Sequence, residues 1–307
     1  MSAGWVAVGV RSTAMRRRRL GPEAARALAA RPSLAAAVSE LASGPYAHDV
    51  RPDQTLAEAQ RAVVATFVWN VRVLAGWAPR DGVVMLRALA APVEALNIDE
   101  HLRRRADPAP PAPYQLGALA TAWPRLAATT DVQGLRRVLA QSHWDDPGSD
   151  DLHEVSVATR LSAAGRIVVD VPNARAWASA AAALVLAREL AYRAAPPGAR
   201  VRFLASRVLG PAAGNALSLQ ELAGALPRAA RWALADVSAP EQLWRAEAGW
   251  WGRVDREAAA MADRDAAGAG ALVGTVARLA VDAWRVRAAL ELAPRGGHVA
   301  EDFGAVA

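Results

Sequence analysis

From Leu272 onward, apolar residues recur as Val276, Leu279, Ala283, Val286 and Leu290, in alternating steps of four and three. Steps of that size put every member on one face of a helix, whereas a strand would need a repeat of two. Similar stripes run through Val63, Phe67, Val71 and Leu74, and through Met85, Leu89, Val93 and Leu96. Composition agrees with the periodicity. Tyr and Phe number three each, while Ala, Leu, Arg and Glu dominate, and Ala, Leu and Arg lose little side-chain freedom in a helix. The expected fold class is all-α. A chain of 307 residues can bury about 75% of the surface its unfolded form exposes, so its core needs no staple. Length alone suggests two domains, or one built of smaller lobes.

The chain contains no cysteine, and all 36 basic residues are arginine. The first absence removes disulfides, thiolate zinc sites and cysteine nucleophiles. The second removes the Walker-type phosphate loop, which needs a Lys after its second Gly, and with it Schiff-base chemistry. The net charge of +6 permits an acidic partner or a phospholipid surface but requires neither. No run reaches the roughly 18 apolar residues of a spanning helix; Val63 to Ala78 comes closest and is interrupted by Asn70 and Arg72. Apolar Met1 to Val10 precedes Arg16 to Arg19, the reverse of a secretory signal. The expectation is a cytoplasmic protein.

Along the chain, the first helix is expected from Gly4 to about Leu20, before Gly21-Pro22, and the second from Glu23 to Ala30. A third begins at Pro32-Ser33, followed by a turn at Gly44-Pro45-Tyr46. Thr55 with Glu58, Ser218 with Glu221, and Ser238 with Glu241 have capping-box spacing. Pro92 predicts a kink or break near Ala91. Residues 106–113, ADPAPPAP, read as an extended linker. Helical patches follow at Leu116 to Leu126 and Leu135 to Ala140, then a polar loop from Asp145 to Asp151. RIVVDV, Arg166 to Val171, is strand-like, but without a partner it founds no sheet. An Ala-rich helix is expected from Trp177 to Ala195, and Gly296-Gly297 should end the last one. These marks divide the chain into a first lobe (1–105), the linker (106–113), a middle lobe (114–197) and a C-terminal lobe (198–307).

A faint internal repeat is also present. Setting Gly82 on Gly270 places Val93 on Val281, Glu94 on Asp282, Ile98 on Val286 and Leu102 on Leu290. Either the two segments share a design, or they align as any two amphipathic helices would.

The order of motifs carries a resemblance. VAVGVRSTAMRRRRLG matches the opening helix of one family at Val10-Arg11, Met15, Arg17 and Leu20. GPYAHDV, Gly44 to Val50, is similar to its following turn. EALNIDEHLRR matches its lobe-closing pattern at Glu94, Asn97, Ile98, Leu102 and Arg103. VDAWRVRAALELAPRGGH looks like its final helix, with Val286, Arg287 and Leu290 in place. The chain thus resembles the family containing the C-type subunits of archaeal-type rotary ATPases and the d-type subunits of vacuolar-type ATPases. The likeness covers the first third and, more loosely, the last fifty or so residues. Two features depart from the pattern: Arg285 stands where a second asparagine is usual, and the chain is shorter.

The resemblance implies three pseudo-repeated helical lobes forming a funnel-like socket. In that family the broad face sits on the membrane proteolipid ring and the hollow receives the central shaft. It implies ion-transport coupling on the cytoplasmic face of the membrane, partners in the shaft subunits and proteolipid ring, and no catalytic, metal or cofactor residues. A free-standing helical adaptor that kept the fold is the alternative, and a helical enzyme with a divergent site the third.

Arg16, Arg17, Arg18 and Arg19 are candidate interaction residues, either for phospholipid head groups or an acidic surface, or simply a solvated helix end. No aromatic residues interleave with them, which speaks against nucleic acid. Trp250 and Trp251 are the other candidates, because adjacent helical positions point about 100° apart and cannot easily share one core. His143, Asp145, Asp146, Asp150, Asp151, His153 and Glu154 lack ligand spacing and read as a solvated loop, with His153 placed to cap the next helix. Gly268, Gly270 and Gly274 follow no strand and form no dinucleotide fingerprint. No G-x-S-x-G elbow is present.

Overall fold

The computed structural model of the chain describes residues 3–103 and 111–295. Among them there is no strand, and no helix is long and apolar enough to cross a membrane. The fold class is all-α, as the stripes require. The early helices are α1 (Ala3–Arg17), α2 (Pro22–Ala29), α3 (Leu34–Ala42), α4 (Leu56–Ala75) and α5 (Arg80–Arg103). Next come α6 (Trp123–Leu126), α7 (Val132–Ala140), α8 (Leu152–Asp170), α9 (Arg175–Tyr192) and α10 (Ala199–Leu209). The chain continues through α11 (Pro211–Gly214), α12 (Leu219–Ala225), α13 (Arg228–Arg231), α14 (Leu243–Arg264) and α15 (Ala269–Leu292).

The helices start where the capping chemistry says. Ser33 accepts from the Ala36 amide, and Thr55 and Glu58 close a reciprocal box, with the Thr55 amide donating to Glu58 Oε2 at 2.8 Å. Ser218 accepts from the Glu221 amide at 3.1 Å. At Ser238 the expected partner is wrong. Gln242 Oε1, not Glu241, accepts from the Ser238 amide at 2.7 Å, because Pro240 opens a short 3-10 turn that shifts the acceptor by one. Asp151, rather than His153, caps α8 through the Glu154 amide at 2.9 Å.

Three further expectations are corrected. α5 runs through Pro92 without a break, and its buried side is Leu86, Ala90, Val93 and Ile98, while Leu96 is exposed. RIVVDV forms the last turns of α8 up to Asp170, with Val169 69% exposed where a strand would need a neighbour. α1 ends at Arg17 rather than Leu20, because the Leu20 and Gly21 amides leave the helical ladder for the Asp282 carboxylate. Most of the linker, 106–110, and Gly296-Gly297 lie outside the described residues.

Two compact units emerge, one made of 1–82 with 251–307 and the other of 83–250. The first is organised on α15, whose Leu272-to-Leu290 stripe is buried throughout. α15 packs against α1, α2 and α4. Leu28, Val38, Leu41 and Val63 meet Val286 and Leu290 in one cluster. Gly274 allows close approach: a Cβ there would lie 2.5 Å from the Ala258 carbonyl oxygen.

The second unit is organised on α8, α9 and α10. Leu161, Ala180, Ala183, Leu186, Leu204 and Ala205 form its larger cluster, small residues letting the helices approach. A separate cluster gathers Ile98, Leu126, Leu135, Leu139 and Trp144. Fully burying each Leu or Ile contributes about 1.5–3 kcal/mol, which makes these clusters the main source of stability in this unit.

Candidate functional site

The arginine run splits by direction. Arg17 and Arg18 are exposed, whereas Arg16 and Arg19 turn toward the body of the first unit. Arg16 Nη1 donates to Thr275 Oγ1 at 3.5 Å and Nη2 to Thr13 Oγ1 at 3.4 Å. Arg19 Nε donates to the Arg16 carbonyl at 3.2 Å, and its Nη1 is buried with no partner among the described residues. Burial lowers the pKa of both guanidiniums; Arg278 adds to the effect, while Asp263 opposes it at Arg16 and Asp282 at Arg19.

Asp282 is the hub of this region and is 2% exposed. It accepts from the Leu20 amide at 3.1 Å, the Gly21 amide at 2.8 Å and Tyr46 Oη at 2.9 Å. Burial drives the Tyr46 pKa well above its ordinary value, and the Asp282 charge and hydrogen bond add to the shift. Close by, Asp255 binds Arg285 Nη1 at 2.8 Å and Arg278 Nε at 3.2 Å. Burial alone would raise the Asp255 pKa, but the bonds and charges of Arg285 and Arg278 bring it below its usual value.

The two tryptophans resolve their own geometric conflict. Trp250 is half-buried against the core of the second unit and donates Nε1 to the Trp177 carbonyl at 2.9 Å. Trp251, also half-buried, stacks on Trp284 of the first unit with ring centroids 5.4 Å apart. Side chains about 100° apart thus find different partners, Trp250 a core cluster and Trp251 a second half-buried ring.

The acidic loop is held by internal pairs. Arg136 bridges Asp146 at 3.1 Å and Asp150 at 2.7 Å, and Asp145 takes Arg207 at 3.3 Å. His153 meets Glu189 at 2.7 Å, and Glu154 accepts from the Gly198 amide at 3.0 Å. No cluster of His, Asp and Glu able to hold a metal occurs among the described residues.

Two cavities are each lined by three arginines. The one in the second unit, about 720 Å³, has apolar walls that include Leu161, Leu204 and Val208, with Arg87, Arg166 and Arg207 among them. Each of its cations has one partner: Arg87 the Ala118 carbonyl, Arg207 Asp145, and Arg166 Thr121 Oγ1 at 2.9 Å, although Arg166 Nη1 is buried with no partner among the described residues. The Arg166 guanidinium also lies 5.2 Å from the centre of the buried Trp144 ring, and burial lowers its pKa. The cavity in the first unit, about 170 Å³, is lined by Arg11, Arg18 and Arg19 beside Tyr46 and Asp282. Sequence reasoning found two of these arginines but missed Arg11, Tyr46 and Asp282 as their companions.

Glu94, the residue that the 188-residue offset equates with Asp282, has a similar task. Buried at 1% exposure, it accepts from the Thr121, Ala122 and Trp123 amides at 2.7 to 3.1 Å. Each carboxylate therefore gathers backbone N–H groups at the start of a helix with proline in its first two positions, Pro22 first in α2 and Pro124 second in α6. Three positions later the two segments diverge: Asn97 exchanges hydrogen bonds with the Tyr114 backbone, while Arg285 pairs with Asp255.

No protein-family model matches the chain, and no curated protein matches it significantly.

Proposed function

We propose that this chain is the non-catalytic central-stalk socket subunit of an A/V-type rotary ATPase, coupling the rotor shaft to the membrane proteolipid ring. In this reading its helices build three pseudo-repeated lobes around a funnel-like hollow. It lies on the cytoplasmic face of the membrane, held there by the complex and not by a span of its own. The observation that carries the reading is the shared role of Glu94 and Asp282. Two residues 188 positions apart, equated by the alignment of their segments, both accept from backbone amides at the start of a helix with proline in its first two positions. Chance alignment of amphipathic helices would match apolar positions, not a buried carboxylate with its donors. The order of the motifs, from Val10-Arg11 through the Tyr46 turn to Asn97-Ile98, supports the same reading, and Tyr46 bonding to Asp282 ties two of the matched segments together.

The test is genetic and biochemical. Removing this gene from its source organism should abolish ATP-driven ion uptake by inverted membrane vesicles, with ATP hydrolysis by the detached head persisting. Unchanged uptake would sink the proposal and leave the adaptor reading.

A further inference from the structure

The small cavity of the first unit has more positive charge than its surroundings use. Arg11, Arg18 and Arg19 line it, against one lining carboxylate, Asp282. None of the three arginines is in an ion pair among the described residues. Arg11 lies over the Trp77 ring, 4.1 Å from its centre. The Arg18 guanidinium has no hydrogen-bond partner among the described residues and is exposed. Arg19 keeps Nη1 buried and unpartnered. Asp282 makes no hydrogen bond or ion pair to them: its oxygens take three other donors, while its charge acts on Arg19. Asp255, whose charge also reaches Arg19, is paired with Arg285 and Arg278, and Asp49 accepts from Thr66 Oγ1 at 2.9 Å and lies 2.8 Å from the His48 ring nitrogen.

Size and shape narrow the ligand. At about 170 Å³ the cavity lies below the roughly 300 Å³ at which pockets for drug-sized ligands begin, so it takes one compact group. Forked guanidiniums match an oxyanion with several terminal oxygens better than a spherical ion. Three cations against one carboxylate, itself bonded to three other donors, leave a surplus of two charges in the lining, which suits a dianion. Asn70, also lining the cavity, supplies a neutral side-chain amide, and Phe67 and Val73 offer an apolar wall for the carbon next to the ester oxygen.

We propose that this cavity binds a phosphomonoester dianion, with Arg11, Arg18 and Arg19 as its cationic ligands. The inference stands on the cavity alone and does not rest on the rotary-motor reading. The ester can come from a soluble metabolite or from a lipid bearing a terminal phosphate; exposed Trp69 and Trp77 nearby, 37% and 49% exposed, are residues that suit a membrane interface.

The experiment titrates the purified full-length chain with glycerol phosphate by calorimetry, with glycerol and matched sodium chloride as controls. A parallel arm floats the chain with phosphatidylcholine vesicles carrying either phosphatidic acid or phosphatidylserine at equal surface charge. The variants are Arg11→Gln with Arg18→Gln, and Arg17→Gln, which changes an exposed arginine outside the lining. Thermal melts show that each is folded. Saturable binding to the soluble ester, or flotation with phosphatidic acid in preference to phosphatidylserine, is expected. The paired variant should weaken either by about a hundredfold, roughly tenfold per charged contact, and Arg17→Gln should leave both unchanged. Binding in the first arm alone identifies a soluble ester, and binding in the second a lipid. No binding in either arm, or equal weakening by Arg17→Gln, overturns the proposal.

Discussion

The Tyr46 hydroxyl donates a 2.9 Å hydrogen bond to Oδ2 of Asp282, a residue 236 positions further along the chain. With the Leu20 and Gly21 amides on the same carboxylate, the α1–α2 junction, the Tyr46 turn and α15 are joined at one side chain. Asp282→Ala removes an acceptor from one buried and two part-buried donors and should cost about 3 kcal/mol, at the upper end for such losses. Tyr46→Phe loses one bond and should cost about 1 kcal/mol. Urea unfolding of the two variants checks both the order and the size.

Alkaline unfolding should report the same pair. The Tyr46 pKa is raised above its ordinary value of 10.0 by burial and by Asp282. The folded state therefore keeps a proton that the unfolded state gives up. That contribution is complete below about pH 10 and is lost as pH rises toward the folded value. In Tyr46→Phe, stability should fall less steeply above pH 10 than in the wild type. Parallel slopes would contradict the assignment.

Asp255 predicts the opposite limb. Its pKa is held below 3.8 by Arg285 and Arg278. This stabilisation is present above that value and is lost as pH falls through the folded pKa. Asp255→Asn should flatten the acid limb of the stability profile. It should also cost about 3 kcal/mol at neutral pH, because the buried Arg285 guanidinium would lose its carboxylate.

Much of the fold was legible because it rests on local chemistry. The α15 stripe, the Thr55–Glu58 box and the Ser33 cap need only neighbours within a turn or so, and each is where the spacing puts it. RIVVDV was ambiguous for the converse reason. β-branched residues fit a strand locally, but here they extend a helix already started by Asp151 and anchored by Leu161. Pro92 signals a kink or a break, and of these the break does not occur: its missing amide removes only one ladder bond from a helix whose flanking residues Ala91 and Val93 are buried. The candidate site was only half legible. Arg18 and Arg19 stand out in a run, but nothing local shows that Arg11, Tyr46 and Asp282 join them. The pairing of Glu94 with Asp282 was visible as an alignment, whereas the amides they hold lie in other segments.

Two glycines in helix interiors should respond oppositely to alanine. At Gly274 the new Cβ would lie 2.5 Å from the Ala258 carbonyl oxygen and 3.2 Å from the Ala262 amide nitrogen, both backbone atoms. Gly274→Ala should therefore cost about 1–3 kcal/mol. At Gly165 the nearest atom is Val208 Cγ2 at 3.5 Å, an ordinary contact. Gly165→Ala should gain about 0.5–1 kcal/mol from helix propensity. Thermal or urea unfolding of both variants distinguishes the two environments.

The socket assignment is tested most directly by affinity purification of the tagged full-length chain from gently solubilised membranes of its source organism, with its companions identified by mass spectrometry. The account predicts that central-shaft subunits and the proteolipid ring come with it in constant proportion. A monomer, or a set of unrelated soluble proteins, would contradict it.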